Sequence, residues 1–167
     1  EHKELEDLGA EVLYIQADAT DQQAMHRAVQ SARQRFGSLS GVIHSAIVLD
    51  DKTIERLSEQ SFRAALDPKV AGCIATFNAV AAETLDFFAF FSSAASFMGS
   101  IGQSNYLAGS SFEDAFGHYL ASRFAIPVKI LNWGFWGSVG VVASAEYRAE
   151  AQARGMGSIE PDEGLSA

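Results

Sequence analysis

The stretch LDFFAFFSSAASFMGSIGQSNYLAGSSFEDAFGHYL, residues 85–120, decides the fold of this chain. Its strand-like part, Phe87 to Phe91, is apolar at every position. A strand that is apolar on both faces is typical of a parallel sheet covered by helices on each side. A glycine-containing loop follows, and a helical pattern begins close to Tyr106. The order of buried strand, loop and helix therefore indicates one unit of an α/β fold.

The same alternation continues in both directions from this stretch. Apolar runs of strand length lie at 11–18, 40–49, 85–93 and 126–134. The first two are separated by an amphipathic helix that begins at Thr20 or Asp21 and ends at Gly37. Further helices are expected to end at Gly9 and to begin at Pro161. We therefore predict an α/β fold with a doubly wound parallel sheet, to which this chain contributes four strands.

The carboxyl ends of the predicted strands are the places to search for function, because ligands of such sheets bind beyond them. These ends are small or polar: Asp18-Ala19, His44-Ser45-Ala46, Ser92-Ser93 and Asn132-Trp133-Gly134. The sequence therefore predicts a ligand site along this edge of the sheet.

Composition excludes several classes of function. A net charge of −9 argues against nucleic-acid binding, which needs clustered Lys and Arg. The single cysteine, Cys73, lies in an apolar run and has no partner for an internal disulfide, so we expect a small buried side chain. No apolar stretch approaches the roughly 18 residues of a membrane span, and the N-terminus has no signal-peptide layout. We therefore expect a soluble, cytoplasmic protein that binds neither nucleic acid nor membrane.

Two hydroxyl groups are expected at the same rim of the sheet. Ser93 ends the buried strand, and Tyr106, thirteen residues later, begins the next helix. Spacing alone is weak support for a shared site, because serines are frequent in this chain. A tyrosine at a helix start is more often a packing residue with one solvated end, and Ser93 could be only a turn residue. The choice between a shared site and separate packing or turn residues therefore depends on the surrounding sequence.

Along nearly its whole length the chain resembles the ketoreductase domains of modular polyketide synthases, members of the short-chain dehydrogenase/reductase superfamily. The resemblance lies in QADATD, VIHSAIVLDD, LDPKVAG, FFSSAASFMGSIGQSNYLAG, ILNWGFWG and PDEGLSA. It implies a Rossmann-like fold, NADPH as cofactor, and a β-ketoacyl chain on the phosphopantetheine arm of an acyl carrier protein as substrate. The product would be a β-hydroxyacyl thioester. The carrier protein and neighbouring synthase domains would be the partners.

The resemblance also implies roles for individual residues. Tyr106 would donate a proton to the carbonyl oxygen, and Ser93 would hydrogen-bond that oxygen as negative charge develops. A free tyrosine has a pKa of about 10, so its anion needs a nearby cation. Lys69, in LDPKVAG, matches the family lysine that provides this charge. Positions matched to cofactor contacts are Asp18 and Ala19 near the adenine, Ser45 and Ala46 along the nicotinamide ribose, and Asn132 with Gly134 beneath the nicotinamide. No metal site is predicted.

Two positions depart from the family pattern. The family usually has an asparagine four residues after the tyrosine, where it helps to orient the lysine and a relay water; here this position is Ser110. A serine is shorter and offers one donor rather than two, so we expect the relay to be weakened or rerouted through water. Ile47 stands where a glycine is common. Both departures resemble ketoreductases of bacterial synthases without built-in acyltransferases.

Product stereochemistry is suggested by two further matches. Leu49, Asp50 and Asp51 match the LDD string that the family associates with a D-configured (3R) β-hydroxyl product. Met98 stands where the opposite class carries tryptophan. The alternative is that Asp50 and Asp51 form only a solvated acidic loop before a helix near Thr53. A mobile lid over the substrate would extend beyond Gly134 through Arg154 and Gly155.

Parts of a complete dinucleotide-binding domain are missing from this sequence. No GxGxxG motif occurs, and such a motif would bind pyrophosphate at a helix N-terminus. We expect residues 1–167 to form a partial ketoreductase domain, from the third strand through the lid to the start of the last helix and without the last strand, and to be inactive in isolation. Two alternatives stay open: a free-standing short-chain β-ketoacyl reductase, and a non-catalytic structural module of a synthase, which Ser110 would favour.

Overall fold

The computed structural model describes residues 2–140, 143–153 and 155–166, and its centre is a parallel sheet. The strands are β1 (Gly41–His44), β2 (Phe87–Ser93) and β3 (Val128–Trp133), in the order β1-β2-β3. The helices are α1 (His2–Asp7), α2 (Gln22–Phe36), α3 (Glu59–Val80), α4 (Ala95–Met98), α5 (Ser104–Arg123), α6 (Ala145–Ala153) and α7 (Pro161–Leu165), with a 3₁₀ turn at Ile54–Arg56. Both strand pairings are parallel, so the predicted α/β class with a parallel sheet is confirmed. Arg154 of the predicted lid lies outside the described residues.

The first predicted strand, 11–18, is not a strand in the structure. It makes no sheet pairing within the described residues, and Tyr14 is exposed. The second predicted strand is also shorter than expected, because only Gly41–His44 pairs with β2. Apolar composition indicates that a segment can enter a sheet, but its length as a strand depends on a neighbour that accepts its backbone hydrogen bonds. The prediction of four strands is therefore wrong for the part of the chain that the structure describes, which forms three.

The predicted helix boundaries agree well with the structure. The side chain of Asp21 caps α2 by accepting hydrogen bonds from the backbone N–H groups of Gln23 and Ala24, at 2.8 and 3.0 Å. Gly37 ends the same helix with φ 88°, a conformation that favours glycine. None of the described helices is long and apolar enough to cross a membrane.

The core that supports the strand ends is largely aromatic. Phe88 and Phe90 of β2 are completely buried and stack on each other, with ring centroids 4.7 Å apart. Helix α3 packs against α2 and α5, and α5 packs on β2 and β3. At Gly117 a Cβ atom would lie 2.8 Å from the Ile130 side chain, so the missing side chain lets α5 approach the sheet closely. The result is a tight α3–α5–sheet contact that fixes the position of both helices.

Truncating one core ring tests this arrangement. Phe88→Ala should lower the free energy of unfolding by about 3–5 kcal/mol, because a buried aromatic side chain leaves a cavity. The measurement is the urea unfolding midpoint of the complete domain to which this chain is expected to belong, the intact parent domain. Phe97→Ala is the matched control: its ring is 76% exposed, and the change should stay within about 0.5 kcal/mol. Equal effects of the two substitutions would contradict the assigned core.

Candidate active site

The predicted site residues collect at the carboxyl edge of the sheet. His44, Ser93 and Trp133 are the last residues of β1, β2 and β3. Tyr106 lies in the first turn of α5, which returns from this edge, and Lys69 lies in the middle of α3. Polar and titratable side chains of three strands and two helices therefore meet where α/β sheets bind their ligands.

Lys69 and Tyr106 are neighbours. The Lys69 side chain is almost completely buried, and its ammonium nitrogen lies 5.3 Å from the centroid of the Tyr106 ring. The ammonium also donates to the carbonyl oxygen of Phe91 at 3.2 Å. A Cβ atom at Gly109 would lie 3.0 Å from the Cβ atom of Lys69, so the glycine lets the two helices approach closely. The structure thus places a buried cation beside the predicted proton donor.

Glu113, which the sequence analysis did not identify, completes this cluster. It is fully buried on α5, and its Oε2 atom accepts a hydrogen bond from the Lys69 ammonium at 2.5 Å. Its Oε1 atom lies 3.5 Å from His44 Nε2 and 3.7 Å from Cys73 Sγ. A signal was present in the sequence, since Glu113 follows Tyr106 by seven residues and therefore lies on the same face of a helix.

Burial controls the protonation of this cluster. Burial raises the pKa of the Glu113 carboxyl to about 7, although the Lys69 charge acts in the opposite direction. Burial, assisted by the Lys69 charge, lowers the pKa of His44 to about 4, so this imidazole is neutral at pH 7. Burial and the neighbouring Glu113 raise the pKa of the Cys73 thiol far above its usual range. Of the groups in this cluster whose pKa is shifted, Glu113 is the one whose pKa lies nearest neutral pH.

Three side chains of the cluster have the donor types of a metal site. Atoms of His44, Cys73 and Glu113 lie within 4.8 Å of one another, and all three residues are buried. Metal binding would need the thiolate form of Cys73, whereas without a metal the burial of this thiol and the neighbouring Glu113 raise its pKa. Glu113 already accepts the Lys69 hydrogen bond. A protein hydrogen-bond network explains these contacts better than a metal site does.

Ser93 and Ser110 differ in their hydrogen bonding. The Ser93 hydroxyl oxygen accepts a bond from the Ala95 N–H at 3.2 Å, as a turn residue does, and its own O–H can still donate. The Ser110 hydroxyl is buried and has no hydrogen-bond partner among the described residues. Its backbone carbonyl instead accepts from Ser92 Oγ at 3.3 Å. No described hydrogen bond joins Ser110 to Lys69.

Three of the predicted cofactor residues line one open groove. Ala19, Ser45 and Ala46 lie together there beside β1, and their small side chains leave space next to the strand end. Asp18 is exposed and accepts hydrogen bonds from the N–H and hydroxyl of Thr20, which lower the pKa of its carboxyl. The same groove runs along β1 and is also lined by apolar side chains of α2, α3 and the segment before β1: Met25, Val29, Leu39 and Val80.

Asn132 lies apart from that groove and is held by α5. Its amide nitrogen donates to Asp114 Oδ1 at 3.0 Å and to the Ser93 carbonyl oxygen at 3.5 Å. Asp114 in turn accepts from the Ser96 hydroxyl at 2.8 Å. In this structure Asn132 therefore ties the end of β3 to α5 and to the turn after β2.

The acidic loop is more strongly anchored than a simple solvated loop. Asp50 forms an ion pair with Lys52 at 2.7 Å, and its backbone carbonyl accepts from Asn105 Nδ2 at 3.0 Å. Asp51 accepts hydrogen bonds from Gln103 Nε2 at 2.8 Å and from the Tyr147 hydroxyl at 3.3 Å. Tyr147 belongs to α6, so the loop joins the start of α5 to the predicted lid. Of the other two stereocontrol positions, Leu49 is partly buried and Met98 is 68% exposed.

Comparison with known protein families places this site in context. The family model described as "KR domain" matches residues 1–138. The chain is 46% identical over 157 residues to polyketide synthase ThaG of Burkholderia thailandensis, and 42% identical over 160 residues to polyketide synthase PksN of Bacillus subtilis. These alignments cover 94% and 96% of this chain but only 3% of each synthase.

Solved structures agree with the sequence comparison. A ketoreductase domain from the bacillaene assembly line superposes with a TM-score of 0.88 at 34% identity, over 98% of this chain and 41% of that chain. A structure of A-type ketoreductases from a modular polyketide synthase gives a TM-score of 0.92 at 30% identity, over 99% and 34%. The chain therefore belongs to the KR domain family, the ketoreductase domains of polyketide synthases within the short-chain dehydrogenase/reductase superfamily.

Proposed function

We propose that residues 1–167 form the catalytic part of a larger domain. This domain reduces a β-ketoacyl thioester to a D-configured (3R) β-hydroxyacyl thioester with NADPH. The observation that carries the proposal is the buried Lys69 ammonium beside the Tyr106 ring, 5.3 Å from its centroid. The family membership supports an oxidoreductase, because the matched polyketide synthase domains are ketoreductases. The cofactor, the carrier-bound substrate and the product configuration are parts of the proposal.

Tyr106 acts as the proton donor. As the carbonyl carbon of the substrate gains a hydride, its oxygen acquires negative charge and takes the phenolic proton. The phenolate that is left behind is favoured by a positive charge within a few ångströms. Lys69 provides that charge, and its burial strengthens the interaction because little water screens it.

Ser93 stabilises the developing oxyanion. Its hydroxyl lies at the end of β2, at the edge of the sheet where α5 begins. The hydroxyl oxygen is held by the Ala95 N–H, which orients the side chain and leaves the O–H to donate to the substrate oxygen. A positioned donor of this kind contributes on the order of 10²–10³ in rate.

NADPH supplies the hydride when it is bound. Ala19, Ser45 and Ala46, which line the groove beside β1, would hold its ribose and adenosine portions. Asp18 would lie at the adenine end, and Asn132 would lie near the nicotinamide. The small residues are suited to this role because a bulky side chain would fill the groove. The pyrophosphate would be bound by a glycine-rich turn, which this sequence does not contain.

The partners follow from the carrier-bound substrate. We propose an acyl carrier protein that presents the β-ketoacyl chain on its phosphopantetheine arm, together with neighbouring synthase domains. The synthase relatives, of which this chain matches only 3% of the length, support this assignment. A non-catalytic structural module is the rival, and the unpartnered Ser110 hydroxyl favours it.

Substitution of Tyr106 separates the catalytic from the structural interpretation. In the intact parent domain, Tyr106→Phe should reduce NADPH oxidation with a β-ketoacyl thioester by at least about 10²-fold, because the general acid is removed. Tyr119→Phe is the matched control, since this tyrosine lies on the same helix and is half exposed. Equal rates for Tyr106→Phe and wild type would rule out the catalytic assignment.

The configuration of the product is a separate expectation. The loop of Leu49, Asp50 and Asp51, anchored to α5 and α6, should guide the substrate so that the parent domain forms mainly the D-alcohol. Chiral chromatography of the hydrolysed product measures this directly. A product that is mainly the L-alcohol would reject the proposed direction of substrate entry while leaving the reductase assignment intact.

A further inference from the structure

Both members of the ion pair between Lys69 and Glu113 are buried. Lys69 is 1% and Glu113 0% exposed. Burying an isolated charge is very costly, and a buried charge persists only when it is paired and hydrogen-bonded. Besides Glu113, the described acceptor of the ammonium is the Phe91 carbonyl, at 3.2 Å. Glu113 is therefore the side chain that offsets the burial of the Lys69 ammonium, by accepting its hydrogen bond.

The geometry also restricts where the lysine can lie. An ammonium group has three N–H donors, and Glu113 and Phe91 accept from two of them. Along its stem, Lys69 packs against the backbone at Gly109. One donor is left for groups on the Tyr106 side, where the cation lies over the ring. Removing the carboxylate would release the ammonium from this position without touching Tyr106.

Glu113 is the member of its helix face that reaches the lysine. Tyr106, Ser110 and Glu113 follow one another at intervals of four and three residues, so they share one side of α5. The Ser110 hydroxyl makes no described hydrogen bond to Lys69, whereas the Glu113 carboxylate does. The hydrogen bond that orients Lys69 thus comes from Glu113, about one helical turn after Ser110.

We propose that Glu113 is a positioning residue that holds the Lys69 ammonium beside Tyr106, and that protonation of its carboxyl group sets the net charge of the pair. This inference rests on the proposed ketoreductase function. When Glu113 is protonated the pair carries one positive charge and favours the phenolate of Tyr106. When Glu113 is ionised the pair is neutral, and this assistance is weaker.

The direction of the pH effect follows from the groups that face Glu113. These are His44 from β1, Lys69 and Cys73 from α3, and Asp114 from α5 itself. His44 and the thiol are neutral near pH 7, because burial lowers the pKa of His44 to about 4 and raises that of Cys73. Burial raises the pKa of Glu113 to about 7, so the positive charge of the pair is lost as the pH rises through that value. The turnover number kcat should therefore fall as the pH rises between about 6 and 8.

Two substitutions of Glu113, studied in the intact parent domain, separate position from charge. Glu113→Gln keeps an oxygen acceptor for Lys69 but cannot ionise, so it should keep most of the activity and lose the fall in kcat near pH 7. Glu113→Leu removes the acceptor, so kcat should decrease by about 10²-fold, the cost of misplacing a group by about 1 Å, with KM nearly unchanged. The matched control is Glu59→Gln, which removes a carboxylate from an exposed ion pair with Arg63 on α3 and should change neither quantity.

A double-mutant cycle shows whether Glu113 acts through the lysine. In a Lys69→Met background, Glu113→Leu should cause little further loss, because the group it positions is already absent. Additive losses would overturn the proposal. A wild-type pH profile that Glu113→Gln does not alter would also overturn it.

A spectroscopic titration keeps this test independent of turnover. With ¹³C-labelled glutamate, the Glu113 carboxyl signal, assigned by its loss in Glu113→Gln, should titrate near pH 7. In Lys69→Met the midpoint should move upward by about 1–3 pH units, because a nearby opposite charge is removed. If Tyr106→Phe retains full activity while this shift is seen, the proposed function fails and the Lys69–Glu113 coupling stands. An unchanged midpoint in Lys69→Met overturns the coupling itself.

Discussion

The buried ammonium of Lys69 is the constraint on which the rest of the site depends. A charge in this position has to be balanced, and the balance comes from Glu113 on α5 together with the Phe91 carbonyl at the end of β2. One side chain thus links α3, α5 and the central strand. The close approach at Gly109 allows it, because a larger residue would collide with the lysine stem. The close packing of the two helices at Gly109 and the acceptor at Glu113 therefore both serve to accommodate the Lys69 side chain.

The aromatic core provides the rigidity that this solution needs. The Phe77 ring of α3 is tilted against Phe88 of the central strand and meets Phe116 of α5 edge to face. Phe90 stacks on Phe88. Interiors packed in this way have few adjustable voids, so small displacements are resisted. The helices consequently hold Lys69 and Tyr106 in a fixed relation. In the proposed reaction, such a preorganised arrangement would need little realignment when the substrate binds.

The substrate side of the site is organised by hydrogen bonds instead of packing. The loop carrying Asp50 and Asp51 is tied to the first residues of α5 through Gln103 and Asn105, and to α6 through Tyr147. Polar ties of this kind at an exposed rim open more easily than a hydrophobic contact does. The molecule therefore combines a tightly packed centre with a rim that is held by polar contacts.

The sequence by itself determined the α/β class and most helix boundaries, because periodicity and caps are local signals. It also proposed Tyr106, Ser93 and Lys69 as site residues, on the strength of family motifs. The strand at 11–18 was wrongly predicted, since strand formation depends on a neighbour and not on apolar composition alone. Glu113 looked like one more acidic residue on a helix. Only the tertiary structure showed that it is buried against Lys69, because the contact joins residues 44 positions apart, and burial at that contact is what brings the pKa of its carboxyl to about 7.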